Sequence, residues 1–319
     1  MNPYVFVVGC ARSGTTLLKR VLNAHPQMAI TKETHWIPHL YRDRVGLTAD
    51  GMVTRELLAK LFEDRRFVRL GIDEAELEKL LARGKPVSYA DFVTGIFNAY
   101  GRAEGKPFVG DKTPIYGLEI ELLHHLWPTA KFVHLIRDGR DVCLSVRNWK
   151  RKAGATGLEE NFATWADDPV LTAAVWWKWR VRLTREAGEP LGSDLYYEVR
   201  YEALVNRPAD ECARLCDFLG VPYEESMLRF YEGRSRDDPG LSSKRAWLPI
   251  TPGLRDWRTQ MTPEDTERFE AAAGNLLDEL GYDRAVLGPR PAALERAGRI
   301  RDLFVEEAEV RGRGLPVHW

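Results

Sequence analysis

Apolar and polar positions along this chain form short β-runs that are followed by helical patterns. Three apolar runs, at 4–8, 131–136 and 195–199, are each followed by apolar residues at helical spacing. Further helical patterns occupy about 53–63, 73–82, 88–100, 116–126, 170–187 and 263–280. Strands that alternate with helices in this way predict an α/β fold, in which helices cover both faces of a parallel sheet.

The domain organisation depends on one break near the C-terminus. With 319 residues, 44% of them hydrophobic, the chain can bury a core and lacks the composition of a disordered protein. We predict one domain over 1–284 and a helical tail over 285–319, because Gly288-Pro289 interrupts the pattern before a last amphipathic helix. The tail could pack on the core or bind a second copy of the chain, and the sequence favours neither.

Composition argues against several classes of partner. A formal net charge of -1 gives no general attraction for nucleic acid or an anionic membrane. No apolar run approaches the ~20 residues of a membrane helix, and the run at 4–8 is too short for a signal peptide. The four cysteines form no CxxC pair, which favours reduced, buried thiols. We therefore expect a cytoplasmic protein with no membrane or nucleic-acid partner.

The first apolar run leads into a loop that has the frame of a phosphate-binding loop. Its polar and glycine positions are Arg12, Ser13, Gly14, Thr15 and Thr16. Backbone N–H groups in such a turn converge on one anion, and the helix dipole adds positive charge. In nucleotide triphosphatases a lysine precedes the hydroxyl pair and Mg²⁺ binds after it. Because Thr15 takes the lysine position, the loop suits an anion without a γ-phosphate and needs no metal.

A second anion site is predicted beyond the run at 131–136. Ligands of open α/β sheets lie beyond the carboxyl ends of the strands, so Arg137 should face the same crevice as the first loop. Ser145 lies two helical turns further on and offers a hydroxyl, and the two together indicate an anion well away from the first loop. Such a pair of sites suits a nucleoside with phosphate at both ends. In the alternative interpretation, Arg137 pairs with Asp138 or Asp141 at the strand end.

These two motifs resemble those of the sulfotransferases. Residues 7–18 resemble the loop that binds the 5'-phosphosulfate, and 131–145 resemble the 3'-phosphate motif. The branch with tyrosylprotein sulfotransferases and bacterial small-molecule sulfotransferases is the most similar, and the similarity extends over about 4–283. It implies the sulfotransferase fold, the donor 3'-phosphoadenosine-5'-phosphosulfate (PAPS), the product 3',5'-diphosphoadenosine and a hydroxyl acceptor.

The resemblance also implies catalytic residues. Glu33, within 32–38, would take the proton from the acceptor hydroxyl, a role for which a desolvated pocket would raise its pKa. His35 is the second candidate for the base. Lys112, after the strand-like 107–109, would stabilise charge on the bridging oxygen, and Arg12 would bind the sulfuryl oxygens.

Two further segments resemble the nucleotide site of the family. Tyr201 matches a tyrosine that lines the nucleotide, and Ser243 lies in a segment similar to a serine-bearing segment of the tyrosylprotein branch. The match weakens after that segment. Which of Lys244, Arg245 and Arg255 closes over the nucleotide therefore stays open.

A metal site is not expected. His35 and His39 are four residues apart, but Pro38 should interrupt the helix that would place both on one metal. Three functions compete: a sulfotransferase with a small-molecule hydroxyl acceptor (natural product, lipid or carbohydrate), a P-loop nucleotide kinase, and an inactive nucleotide-binding module. Thr15 argues against the kinase, and the presence of both Glu33 and Lys112 argues against the inactive module. Within the first function, a tyrosine in a peptide is the alternative acceptor.

Overall fold

The computed structural model describes residues 4–82, 85–147, 162–232, 249–251, 253–310 and 314. At its centre lies a parallel sheet in the strand order β2-β3-β1-β4-β5. The strands are β1 (Val5–Gly9), β2 (Met28–Thr31), β3 (Phe108–Lys112), β4 (Lys131–Ile136) and β5 (Tyr196–Arg200). The α/β fold with a parallel sheet and flanking helices is therefore confirmed.

Helices connect and cover these strands. The α-helices in the described ranges are Thr15–Ala24, Trp36–Arg42, Arg55–Glu63, Arg65–Val68, Glu74–Leu81, Tyr89–Ala103, Ile120–Leu126, Gly139–Arg147, Thr164–Asp167, Pro169–Gly188, Tyr201–Asn206, Pro208–Leu219, Trp257–Gln260, Pro263–Glu279 and Pro291–Val310. Short 3-10 helices occupy Pro114–Leu118, Glu189–Leu191 and Glu225–Arg229. None of the helices described is both long and apolar enough to cross a membrane.

The central strand β1 shows why the apolar runs form a sheet with two covered faces. Side chains of a strand alternate between its faces. Phe6 packs in a core with Phe92 of helix Tyr89–Ala103, whereas Val7 packs in a second core with Leu18 and Leu215. Both faces are thus dry, and a strand buried on both faces is apolar along its length.

The last helix packs on this body. Ile300 and Phe304 of helix Pro291–Val310 are buried in a third core. The Phe304 ring stacks on Phe162 at 4.2 Å between centroids, and Arg296 Nε lies 3.0 Å from a carboxylate oxygen of Asp168. The helix therefore contacts the core of its own chain, which is one of the two roles that the sequence left open.

Among the elements that differ from those predicted, two bear on the site. The helix expected at 116–126 is divided into the 3-10 helix Pro114–Leu118 and the helix Ile120–Leu126, because Glu119 leaves helical geometry at φ -121° and ψ 11°. Strand β2 was not predicted, because four residues give too short an apolar run to separate strand from helix. Its position matters, since the residues after β2 enter the site.

Candidate active site

The loop after β1 has a backbone that few residues adopt. Gly9 and Gly14 have φ values of +145° and +105°, and Arg12 has +75°. A Cβ on Gly14 would lie 2.6 Å from the Tyr201 ring, so only glycine lets the loop approach that ring. Helix Thr15–Ala24 begins directly after Gly14, and its first N–H groups have no partners within the helix. The loop therefore has the backbone geometry that the sequence predicts for a phosphate-binding loop.

Ser13 adds a hydroxyl to this loop. The residue is 0% exposed, and within the described residues its Oγ has no hydrogen-bond partner. Buried polar atoms are nearly always hydrogen-bonded. Ser13 Oγ is therefore a position where a ligand atom would complete the site.

Tyr201 connects the loop to Arg137. The Arg137 guanidinium lies 4.2 Å from the centroid of the Tyr201 ring, and Gly14 contacts the same ring. Arg137 is 6% exposed and its Nη2 donates to Asp141 Oδ2 at 3.1 Å. Its Nε is buried and has no hydrogen-bond partner in the part of the chain that the structure describes. The alternative ion pair with Asp141 is thus present, yet it leaves one charged N–H of Arg137 available.

Ser145 does not lie where the sequence placed it. The expectation was a site shared with Arg137 and well away from the first loop, but Arg12 Nε of that loop donates to Ser145 Oγ at 3.2 Å. Helix Gly139–Arg147 starts beyond β4, which neighbours β1 in the sheet. Its second turn therefore lies beside the loop that follows β1, and the two motifs form one continuous surface.

Arg140 is a buried residue whose ion pairs hold this surface in place. It is 0% exposed, and Nη2 lies 2.8 Å from Asp138 while Nη1 lies 2.5 Å from Glu270. Its guanidinium also lies 3.6 Å from the Trp257 ring centroid. Removing one partner of such a buried network costs about 3–5 kcal/mol. The sequence analysis did not single out Arg140, although it lies within the motif at 131–145.

Glu33 and Lys112 meet where β2 and β3 end. Thr31 of β2 is paired with Asp111 of β3, so the residues that follow lie side by side. Lys112 Nζ donates to Glu33 Oε1 at 2.6 Å, and Lys112 is buried whereas 46% of the Glu33 side chain is exposed. The His35 Nε2 atom lies 3.3 Å from Glu33 Oε2. Three of the four catalytic candidates are thus joined through Glu33, whereas Arg12 contacts Ser145.

The ionisation of Glu33 differs from the expected one. Burial raises the pKa of Glu33, but the hydrogen bond to His35 and the charge of Lys112 outweigh it and lower the pKa to about 2. The expectation of a raised pKa is therefore wrong for this arrangement. The causes are the hydrogen bond to His35 and the ion pair with Lys112. The sequence could not show the ion pair, because Glu33 and Lys112 are separated by 79 positions.

The loop that carries Glu33 is fixed by hydrogen bonds to the segment after β3. The backbone N–H of Thr34 donates to Thr113 Oγ1 at 2.9 Å, and the Thr34 hydroxyl lies 2.8 Å from Tyr116 OH. His35 follows with a φ of +60° and precedes helix Trp36–Arg42. This strained backbone turns the chain so that Glu33 and His35 face each other.

Two further ionisable residues near Lys112 were not singled out in the sequence. Burial and the charges of Lys112 and Lys32 lower the pKa of Lys19 to about 8. Burial raises the pKa of Asp111 to about 6, although Thr31 donates to its carboxylate at 2.7 Å. Lys19 follows the loop by one helical turn, and that position was the available signal for it.

The structure differs from the expectation that Pro38 interrupts a helix between His35 and His39. Pro38 does not interrupt the helix, because it lies in the first turn of Trp36–Arg42, where proline is tolerated. His35 precedes that helix and its ring contacts Glu33 instead. Over the described ranges no group of three or more His, Cys, Asp or Glu side chains could hold a metal ion.

The segments proposed to close over the nucleotide are only partly described. Ser243, Lys244 and Arg245 lie outside the described residues. Arg255 lines a cavity of about 350 Å³ together with Tyr201 and Asp141. Of the three basic candidates, Arg255 is therefore the one that the structure places beside Tyr201.

Comparison with known proteins bears on this geometry. The model of the Sulfotransferase family matches residues 3–225. Protein-tyrosine sulfotransferase A of Caenorhabditis elegans is 25% identical over 287 residues, which cover 88% of this chain and 68% of that protein. Nodulation protein NoeE of Sinorhizobium fredii is 26% identical over 98% of this chain and 75% of that protein. The sulfotransferase domain of the Synechococcus PCC 7002 olefin synthase has a TM-score of 0.56 and 25% identity, over 88% of this chain and 95% of that domain.

Proposed function

This chain belongs to the sulfotransferase family, and from that premise we propose that it transfers a sulfuryl group from PAPS to a hydroxyl of a small-molecule acceptor. The acceptor class would be a natural product, a lipid or a carbohydrate. Transferase activity of the sulfotransferase type follows from the family, which disfavours the kinase. The family also implies PAPS as the donor.

One observation carries the assignment of the donor site. The buried polar atoms of the described ranges that have no hydrogen-bond partner include Ser13 Oγ on the loop and Arg137 Nε beyond β4. A buried unpaired donor costs about 1–3 kcal/mol, and more when it is charged. Anionic groups at both ends of a nucleotide would satisfy both atoms. We assign the 5'-phosphosulfate to the loop with Arg12, Ser13, Gly14, Thr15 and Thr16.

The remaining contacts of the nucleotide follow from the same surface. Arg137 would bind the 3'-phosphate, and Ser145 would contribute from the side that faces Arg12. Tyr201 would line the nucleoside between them. When bound, the donor supplies the sulfuryl group, and the residues present need no metal to hold it, because backbone N–H groups and guanidinium groups match its anionic oxygens.

Glu33 and Lys112 would carry out the chemistry. Glu33 accepts the proton of the acceptor hydroxyl while the acceptor oxygen bonds to sulfur and the bond from sulfur to the bridging oxygen breaks. Lys112 stabilises the negative charge that develops on that bridging oxygen, and Arg12 binds sulfuryl oxygens. His35 would hold the second oxygen of Glu33. His35 would act as the base only if Glu33 does not.

Lys112 also sets the strength of Glu33 as a base. While Lys112 donates to Glu33 at 2.6 Å, the pKa of Glu33 is held at about 2. A carboxylate with so low a pKa is a weak proton acceptor. If Lys112 turns from Glu33 to the bridging oxygen, its part of the lowering is removed while that of the His35 hydrogen bond remains, and the carboxylate gains basicity when the proton must be taken.

Calorimetry tests the donor assignment. We expect the protein to bind 3',5'-diphosphoadenosine well and ATP poorly, and a chelator should leave both unchanged, because the loop lacks the lysine that holds a γ-phosphate. Tight ATP binding that depends on Mg²⁺ would contradict the proposal.

A tyrosine in a peptide is the second candidate acceptor, because several relatives are named protein-tyrosine sulfotransferases. Mass spectrometry after incubation with PAPS would separate the two candidates. The panel would contain a simple phenol, a sugar, a hydroxylated lipid and a tyrosine peptide, with the matched phenylalanine peptide as control. Sulfation of the tyrosine peptide alone would favour the second candidate.

A cytoplasmic location stays a prediction, as does self-association through the tail at 285–319. Fractionation of cells that express the full chain and light scattering of the purified protein would test these two predictions.

A further inference from the structure

Asp141 is a buried carboxylate that bridges two parts of the site. Its Oδ2 accepts from Arg137 Nη2 at 3.1 Å, and its Oδ1 accepts from the backbone N–H of Trp257 at 3.0 Å. The residue is 9% exposed. Asp141 thus holds the arginine assigned to the 3'-phosphate and also the start of helix Trp257–Gln260.

The surroundings of Asp141 contain more negative than positive charge. The charged side chains that line the same cavity are Asp138, Glu202, Arg255, Asp256, Arg258 and Asp283. Asp138 is neutralised by Arg140, which points away to Glu270. The phenols of Tyr201 and Tyr282 also line the cavity, and burial raises the pKa of both. Among the described cations, Arg137 is the one whose side chain forms an ion pair with Asp141.

Asp141 already binds its proton more readily than an ordinary aspartate. Burial raises the pKa of Asp141 to about 6, even though Arg137 lowers it. A phosphate at Arg137 would either displace Asp141 or share the guanidinium with it through the unpaired Nε. In both cases the carboxylate faces an added negative charge, which favours its neutral form.

We propose that Asp141 takes up a proton when a phosphate group binds at Arg137. This inference rests on the proposed function, because it needs the 3'-phosphate at that arginine. The proton comes from solvent and goes to the carboxylate of Asp141, which then keeps its hydrogen bond from Trp257 without opposing the phosphate. Nucleotide binding is in this way linked to pH.

Proton uptake on binding determines how nucleotide affinity depends on pH. A complex that binds more protons than its separate components loses affinity as pH rises. Affinity for 3',5'-diphosphoadenosine should therefore fall by about threefold per pH unit near neutral pH, which corresponds to uptake of about half a proton. 5'-AMP lacks the 3'-phosphate and should show a smaller dependence. Phosphate monoesters have their second pKa near about 6, so above about pH 7 the ligand itself contributes little.

The test is calorimetry of both nucleotides at about pH 7 and about pH 8, in buffers of different ionisation enthalpy. We expect 3',5'-diphosphoadenosine to take up roughly half a proton more than 5'-AMP near pH 7. Asp141→Asn should abolish this difference and bind 3',5'-diphosphoadenosine several-fold more tightly than the unchanged protein at the higher pH. Glu202→Gln, a cavity carboxylate without contact to Arg137, should behave like the unchanged protein.

The outcomes separate this inference from the proposed function. If 3',5'-diphosphoadenosine binds no more tightly than 5'-AMP, the assignment of Arg137 to the 3'-phosphate fails. If it binds more tightly but takes up no additional proton, only the inference about Asp141 fails. Weaker binding by Asp141→Asn at both pH values would show that Asp141 merely positions Arg137. The measurement on the unchanged protein decides the question even if the variant does not fold.

Discussion

The two halves of the site differ in how their polar groups are satisfied. In the donor half, which comprises the loop after β1, Arg137 and Tyr201, the described residues include buried polar atoms without partners on Ser13 and Arg137. In the acceptor half, which comprises Glu33, Lys112 and His35, the charged groups contact one another. The donor half therefore contains polar atoms that a ligand would satisfy, whereas the charged groups of the acceptor half already satisfy one another.

The position of each half in the sheet explains the difference. Most of the donor half lies beyond the neighbouring strands β1 and β4, each of which is followed by a loop and a helix, and Tyr201 follows the edge strand β5. The acceptor half lies at the end of the inner strand β3, which carries Lys112, and on the loop after the edge strand β2, which has a strained backbone at His35. Under the proposed function, donor recognition would depend mainly on the central part of the sheet, and acceptor recognition on a peripheral loop.

The largest expected effect comes from a substitution in the acceptor half. Glu33→Gln keeps nearly the same volume and can still form a hydrogen bond, but the amide cannot accept the proton. Turnover with any acceptor found in the panel should fall by about 10² to 10⁴, while affinity for 3',5'-diphosphoadenosine should stay nearly unchanged. Steady-state kinetics and calorimetry on the same preparation check this prediction.

The control for that variant is Glu63→Gln, which alters an exposed glutamate paired with Lys60. It should leave turnover unchanged. A parallel loss of affinity and turnover in Glu33→Gln would mean that Glu33 shapes the site and does not take the proton.

Sequence predicted the donor half better than the acceptor half, for a physical reason. The loop residues are contiguous and lie where a strand meets a helix, so their roles follow from local geometry. The low pKa of Glu33 depends on Lys112, and the contact of Arg12 with Ser145 joins residues 133 positions apart. Contacts of that kind arise from the order of strands in the sheet. The unpredicted strand β2 is what places Glu33 beside Lys112.

A smaller effect is expected from a substitution in the donor half. Arg137→Ala removes a charged hydrogen bond to the 3'-phosphate and should weaken binding of 3',5'-diphosphoadenosine by about 1.5–3 kcal/mol. Binding of 5'-AMP should change much less, because that ligand lacks the group. Calorimetry with both nucleotides measures the two effects, and circular dichroism verifies the fold.

Arg258→Ala provides the matched control for that experiment, because Arg258 lines the same cavity but lies mostly exposed on the Trp257 ring. It should bind both nucleotides as the unchanged protein does. If Arg137→Ala lost the same affinity for both nucleotides, Arg137 would have only the structural role of pairing with Asp141.

The smallest expected effect concerns His35, and it tests how the acceptor half is held together. Asparagine suits the φ of +60° at this position, since it adopts positive φ more readily than most residues. His35→Asn removes the ring that lowers the pKa of Glu33, so that pKa should rise towards its ordinary value. A base acts in its ionised form, which is lost as pH falls through its pKa. The acid limb of turnover should therefore move to higher pH, while turnover near neutral pH falls by less than about tenfold. Carbon NMR of labelled glutamate would follow the titration of Glu33 directly. If turnover instead collapses at every pH while Glu33 titrates as before, His35 is the base, and the acceptor half works with its two candidates in exchanged roles.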